Sequence, residues 1–210
     1  MNLANLTISI PTILYALTIH EYFHGWTANK FGDPTAKLQG RLTLNPLAHI
    51  DIMGALCFVF ARFGWGKPVP INPSYFRNPR RDNMIVSFAG PASNFISAFM
   101  FGVMFQLLRS IPFIIPVNIA AVLYNLLISG IIMNLSLAFF NMIPLFPLDG
   151  SHILEGLLPH SMAMKYKEVE RYCPFILLGL IVMGNFTGFS ILSVMLGPPI
   201  QYFLRVFTGL

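Results

Sequence analysis

Residues 6–26 read LTISIPTILYALTIHEYFHGW: an uncharged run that leads straight into two histidines and a glutamate. The apolar stretch begins at about Leu3 and continues to Ala28, interrupted only by the motif, which is long enough for the roughly 20 residues that a bilayer crossing needs. It is too long for a cleaved signal peptide and has neither the basic start nor the small-residue exit of one. The reading of this stretch decides the fold class, because it makes Glu21 the one carboxylate inside an expected span. Asp33, Asp51, Asp82, Asp149, Glu155, Glu168 and Glu170 all fall in connections or near span ends. Ionisable groups within a span are expensive to bury and mark functional positions by default.

Composition agrees with a membrane span. Of 210 residues, 55% are hydrophobic and 10% charged, and mean hydropathy is +0.67; a soluble domain carries about 25% charged residues. The chain is expected to be an integral, multi-pass membrane protein built as a single membrane-embedded domain over residues 1–210. Cys57 and Cys173 are too few, and too apolar in context, for a disulfide framework or a thiolate metal site. The net charge of +5 comes with no basic, aromatic-interleaved stretch, so nucleic acid is excluded as a partner.

The expected fold is all-α, with about four to six membrane-embedded helices. Further spans are read at Met84–Leu108, at about Ile119–Ile143 after the Pro-rich turn SIPFIIP, and from near Cys173 onward, with a break or re-entrant bend at the Gly-Pro-Pro of residues 197–199. Between the first two spans, the patch IDIMGALCFVFARFGWG is too short to cross and reads as re-entrant or interfacial. The following KPVPINPSYFRNPRR is extended, because its prolines oppose a helix. Residues Ser161–Arg171, with mixed charges, read as an interfacial helix.

Lysine and arginine set the orientation. Lys30, Lys37, Arg41, Arg62, Lys67, Arg77, Arg80 and Arg81 lie in the first long connection and Lys165, Lys167 and Arg171 in the later one, leaving Arg109 and Arg205 for the other side. Both rich connections are therefore expected to face the cytoplasm. The membrane expected is the cell inner membrane.

On a helix, His20 and His24 are four residues apart and share a face. Two neutral imidazoles at that separation can grip one Zn²⁺, with Glu21 beside them as general base toward water. A catalytic zinc needs a third protein ligand; His49, His152, His160 and an aspartate are the candidates. The strongest is Asp149 in FFNMIPLFPLDGSHIL, since it follows a Pro-broken segment at the cytoplasmic end of the third span, the same end at which His24 lies in the first. Taken alone, the PLFPLDG segment reads as a turn, since Pro, Asp and Gly are ordinary turn residues.

Four segments in order, HEYFHGW, NPLAHIDIMG, GPASNF and NMIPLFPLDGSHIL, resemble the signature set of the site-2 protease family of intramembrane zinc metalloproteases and span about residues 20–154. The resemblance implies one Zn²⁺ per chain held by His20, His24 and Asp149, with Glu21 as general base and acid. It further implies that Asn141 polarises the scissile carbonyl or holds the oxyanion, and that the substrates are transmembrane proteins in the lipid bilayer. Gly25 departs from the family, which usually has Ala after the second His, and no sensing module of the PDZ type fits in 210 residues.

Weaker candidates complete the set. Asn94 of GPASNF either lines the site and meets substrate or makes a helix-to-helix hydrogen bond, and Val69 and Ile71 of the extended segment could pair with an unwound substrate as an added strand. His49 reads as structural. Two other function classes use the same residues. A zinc transporter or binding protein needs the ligands but not a proton carrier between the histidines, and a non-catalytic scaffold for transmembrane helices would have a degraded ligand set.

Overall fold

The uncharged run and the motif that ends it form one continuous helix, α1 (Leu3–Lys30), with the histidines in its C-terminal third. At 1.5 Å per residue its 28 residues extend about 42 Å. In the computed structural model that supplies these elements, which describes residues 3–61, 64–111, 115–187 and 190–210, eight further helices follow and no strand occurs among the described residues. They are α2 (Thr35–Leu38), α3 (Ile52–Ala61), α4 (Pro79–Arg109), α5 (Val117–Asn141), α6 (Asp149–Leu157), α7 (His160–Glu170), α8 (Cys173–Thr187) and α9 (Ile191–Thr208). Helices α4, α5 and α9 are each long and apolar enough to cross a membrane, and α8 is a shorter apolar helix. The chain is an all-α membrane protein.

Helix α4 is the centre of the bundle. Its inward face carries Val86, Gly90, Ser93, Asn94, Ser97, Ala98 and Gly102, mostly small residues that let neighbouring backbones come close, while Phe99, Met100, Met104 and Leu107 point outward. It starts five residues before the apolar run because Pro79 suits the first helical position and Asp82 accepts the Asn78 N–H at 2.9 Å. Helix α1 lies against α4 and α5, tied by Tyr15 to Ser97 at 3.3 Å and by the Thr12 and Ser129 hydroxyls at 3.1 Å. Ala98, Ile131, Leu135 and Phe207 form the core shared by α4, α5 and α9, with Phe95, Phe139 and Phe203 packed on it.

The first long connection meets expectation only in part: KPVPINPSYFRNPRR is not extended throughout, because Pro73 and Pro79 each take the first position of a helical turn, which proline suits, giving a 3-10 turn at Pro73–Tyr75 and the start of α4 at Pro79. Helix α3, at 10 residues, is too short to span, and residues 67–72 form no helix, with Asn72 in an extended conformation. Arg62 and Phe63 of the apolar patch, and residues 112–114 of the SIPFIIP turn, lie outside the described residues. The mixed-charge segment is α7, as expected.

The bend expected at Gly-Pro-Pro is not there: α9 runs unbroken through Pro198 and Pro199. Proline's fixed φ is itself helical, and two adjacent prolines remove only the hydrogen bonds to residues 194 and 195, which a membrane helix tolerates. The apolar C-terminal segment is instead divided into α8, ending at Thr187, and α9, which Ser190 caps by accepting from the Ser193 N–H.

Candidate metal centre

Helical periodicity brings the two imidazoles of α1 together, with His20 Nε2 and His24 Nε2 3.0 Å apart. Asp149 joins them from 125 residues or more further along the chain. Its Oδ2 lies 3.0 Å from His20 Nε2 and 3.3 Å from His24 Nε2. Both imidazoles are buried, and Asp149 Oδ2 is buried with no hydrogen-bond donor. His24 Nδ1 faces the Val86 carbonyl at 2.8 Å; a carbonyl only accepts, so Nδ1 carries the hydrogen and Nε2 offers a lone pair. A buried carboxylate oxygen converging on imidazole lone pairs needs a cation between them. The spacing suits zinc, since ligand atoms bound at 2.0–2.2 Å in a tetrahedron lie about 3.3–3.6 Å apart. Among the described residues, His20, His24 and Asp149 form a group able to hold a metal ion.

The loop after α5 delivers Asp149. Residues 142–148 turn through Ile143 N–H to Phe140 O, Leu145 N–H to Ile143 O and Leu148 N–H to Leu145 O, under the apolar cover of Leu177, Ile181 and Leu192. Asp149 is the first residue of α6, where the unpaired N–H groups and the helix dipole favour a carboxylate. Gly150 is required beside it, because a Cβ there would collide with the Met142 and Ile143 carbonyl oxygens.

Glu21, on the turn between the histidines, accepts the Val69 N–H on Oε2 at 2.7 Å. The extended segment is thus fastened to the motif, and three further ties hold it. Lys67 N–H reaches His49 O at 2.9 Å, Arg41 Nη2 donates to the Lys67 carbonyl at 2.8 Å, and Asn72 N–H reaches buried Asp33 at 2.7 Å. Gly25 acquires a physical reason here: a Cβ at that position would press on Val69 Cγ1 at 3.1 Å and on Ala36 at 3.3 Å.

The profile for "Peptidase family M50" matches residues 112–184, the stretch that carries Asp149. The "Putative zinc metalloprotease YwhC" of Bacillus subtilis (strain 168) is 36% identical over 203 residues, covering 96% of this chain and 93% of that protein. The chain belongs to peptidase family M50. Relatives called "Putative zinc metalloprotease Rip2" match it more partially. The one from Mycolicibacterium smegmatis is 37% identical over 40% of this chain and 34% of its own length, and that from Mycobacterium tuberculosis (strain H37Rv) is 28% identical over 81% and 63%. No solved structure matches the chain significantly. This M50 peptidase is a zinc metallopeptidase, and the three-atom cluster is the place in it that fits the ion.

Other sequence candidates divide by position. The M50 peptidase's Asn94 is fully buried and spends its side chain on the helix-to-helix bonds weighed for it: Oδ1 meets His20 Nδ1 at 2.7 Å, and Nδ2 donates to Ala16 O and Asn134 Oδ1, each at 2.9 Å. Asn141 ends α5 and donates to Leu137 O at 3.0 Å; among the described residues its second amide hydrogen has no acceptor. His152 Nδ1 lies 3.9 Å from Glu155 Oε2, and His152 is not one of the three residues whose ligand atoms converge. His49 is buried, with Nε2 on Thr43 O at 2.8 Å, and His160 is exposed at the start of α7.

Sequence reading passed over Val86, Gly90 and Asn134. A backbone carbonyl has no side-chain signature and a lone Asn in an apolar run does not name its partner, but the four-residue spacing of 86, 90 and 94 marks one stripe of α4. Gly90 sits in that stripe directly under the imidazoles: a Cβ would overlap His24 Nε2 and lie 2.8 Å from His20 Cε1. Gly90→Ala is therefore expected to bring zinc well below half occupancy. Ala is the better helix former by up to about 1 kcal/mol, so unchanged or increased helicity by circular dichroism, alongside reduced zinc by elemental analysis, would assign the loss to the site.

Proposed function

We propose that this peptidase hydrolyses peptide bonds within or next to the transmembrane segments of membrane-protein substrates. The observation that supports it most is the position of His20, His24 and Glu21 on α1, a helix packed against the membrane-crossing α4 and α5, with Asp149 reaching them from α6. His20, His24 and Asp149 would hold the zinc, which when bound supplies Lewis acidity and makes a water easier to deprotonate. Glu21 takes the proton from the attacking water and passes it to the leaving amine. The free hydrogen on Asn141 Nδ2 serves the carbonyl oxygen as negative charge develops there. The Lys- and Arg-rich connections support a zinc site that faces the cytoplasm, and the membrane proposed is the cell inner membrane.

A substrate helix hides its carbonyls in its own hydrogen bonds, so it must unwind and be held extended. Among the described residues, no hydrogen bond uses the Val69 carbonyl or either backbone polar group of Ile71. These groups form a short open edge, attached through Val69 N–H to Glu21, on which an unwound strand can pair. Ile71→Pro removes one donor from that edge and is expected to lower cleavage roughly 2- to 10-fold with zinc unchanged, the value of one hydrogen bond between substrate and edge. Val69→Pro is less clean, because it also removes the N–H that Glu21 accepts. Undiminished cleavage by Ile71→Pro would dismiss the edge.

The function is tested by comparing membrane proteomes of cells carrying the wild-type or the Glu21→Gln protein. Intact forms of particular membrane proteins should accumulate with the variant, and their fragments should map to transmembrane or juxtamembrane sites in the wild type. Identical proteomes, or fragments confined to soluble proteins, would overturn the reading.

A further inference from the structure

We propose that Asn94 and Asn134 form a relay that fixes the tautomer of His20, so that its Nε2 reaches the metal as a lone pair. The inference rests on His20 being a zinc ligand. His24 needs no such device, because its Nδ1 faces the Val86 carbonyl, which can only accept. His20 Nδ1 faces a side-chain amide, and an amide is nearly symmetric in shape: turned one way it offers oxygen, turned the other it offers N–H. The wrong face would favour hydrogen on His20 Nε2, the nitrogen that must coordinate.

Two backbone carbonyls settle the direction. The Gly130 carbonyl accepts Asn134 Nδ2 at 2.8 Å, which turns Asn134 Oδ1 toward Asn94. Asn94 Nδ2 then has both hydrogens committed, one to Asn134 Oδ1 and one to Ala16 O, each at 2.9 Å. Only Oδ1 remains for His20 Nδ1, at 2.7 Å, and an amide oxygen cannot donate. His20 Nδ1 therefore carries the hydrogen. Both asparagines are fully buried, so no water can replace a partner. The relay joins α5 to α4 to α1, and Asn134 influences the metal without touching either histidine. Both asparagines are positioning residues.

The test is zinc affinity, measured by competition with a chelator on purified protein in detergent, with the absorption of the Co²⁺-substituted protein as a second readout. His20→Ala checks the premise: if it leaves affinity unchanged, His20 is not a ligand and the relay falls with it. Given a ligand, Asn94→Leu should weaken zinc about 10- to 100-fold, the usual range for partners of a ligating histidine, and Asn134→Leu about 10-fold. Both should change the Co²⁺ spectrum, whereas Ser93→Ala, a buried neighbour on the same helix, should change neither. If Asn94→Leu does not fold, Asn94→Asp still informs. A carboxylate presents an acceptor whichever way it turns, so it should hold zinc without guidance from position 134. Adding Asn134→Leu to Asn94→Asp should then cause no further loss. Equal loss from Asn134→Leu in both backgrounds, or none in the native one, would mean that position 134 acts by packing alone and would overturn the proposal.

Discussion

Glu21→Gln protein is expected to purify with its full complement of about one zinc per chain and to cleave no transmembrane substrate. Glutamine is nearly isosteric, and its amide oxygen can still accept the Val69 N–H that Glu21 Oε2 accepts at 2.7 Å, so the extended segment should stay on α1. His20, His24 and Asp149 are untouched. What is lost is the proton carrier, because a side-chain amide takes no proton from water near neutral pH. General acid–base catalysis typically contributes about 10²- to 10⁴-fold, and Glu21 is asked to act twice, once as base and once as acid, which takes turnover below detection. Asn141→Ala should also keep its zinc but lose only about 10²- to 10³-fold in rate, the usual effect of removing one donor to a developing oxyanion. A zinc transporter predicts the opposite weighting, with Glu21→Gln altering zinc movement and no variant cutting a peptide bond. Zinc content and cleavage measured on the same preparations separate the two, and a Glu21→Gln protein that still cleaves would sink the mechanism.

The long apolar helices could be read from sequence because apolar length is a one-dimensional property. Helices α1, α4 and α5 begin and end within a few residues of the apolar runs, and α4 departs furthest because capping by Pro79 and Asp82 adds polar residues that hydropathy discards. The two histidines were equally legible, since a four-residue spacing is local. Their meeting with Asp149 was legible only through depth in the bilayer. What the sequence hides is identity-free geometry: the Val86 carbonyl that fixes His24, the missing Cβ of Gly90 beneath both imidazoles, and the partner of Asn134 on another helix. The Gly-Pro-Pro of α9 misleads for a related reason, since proline's effect depends on whether neighbouring backbone groups lose partners they need, and here only two bonds are forgone.

Asp149→Ala is expected to reduce bound zinc from about one per chain to near background after exhaustive dialysis, and His24→Ala should do the same. Two imidazoles 3.0 Å apart remain a possible chelate, but a catalytic zinc site draws on three protein ligands, and Asp149 is the one that brings negative charge. The alternative third ligand, His152, is three residues further along α6 with its Nδ1 3.9 Å from Glu155 Oε2, and among the described residues it is not in the converging group that Asp149 completes. Unfolding is a poor competing explanation. The acid in the first turn of α6 contributes only about 0.3–1 kcal/mol through the helix dipole, and the close approach of Gly150 to the Met142 and Ile143 carbonyls does not involve the Asp149 side chain. Asp149→Asn sharpens the test, because it keeps the size and one oxygen but removes the charge: it should fold as the wild type does and bind zinc more weakly. Helicity and chromatographic behaviour like the wild type, together with absent zinc, would place Asp149 in the ligand set. Full zinc retention by Asp149→Ala would instead require His152 to swing in from Glu155, and the triple variant lacking both side chains and Glu155 would then be the protein that loses the metal.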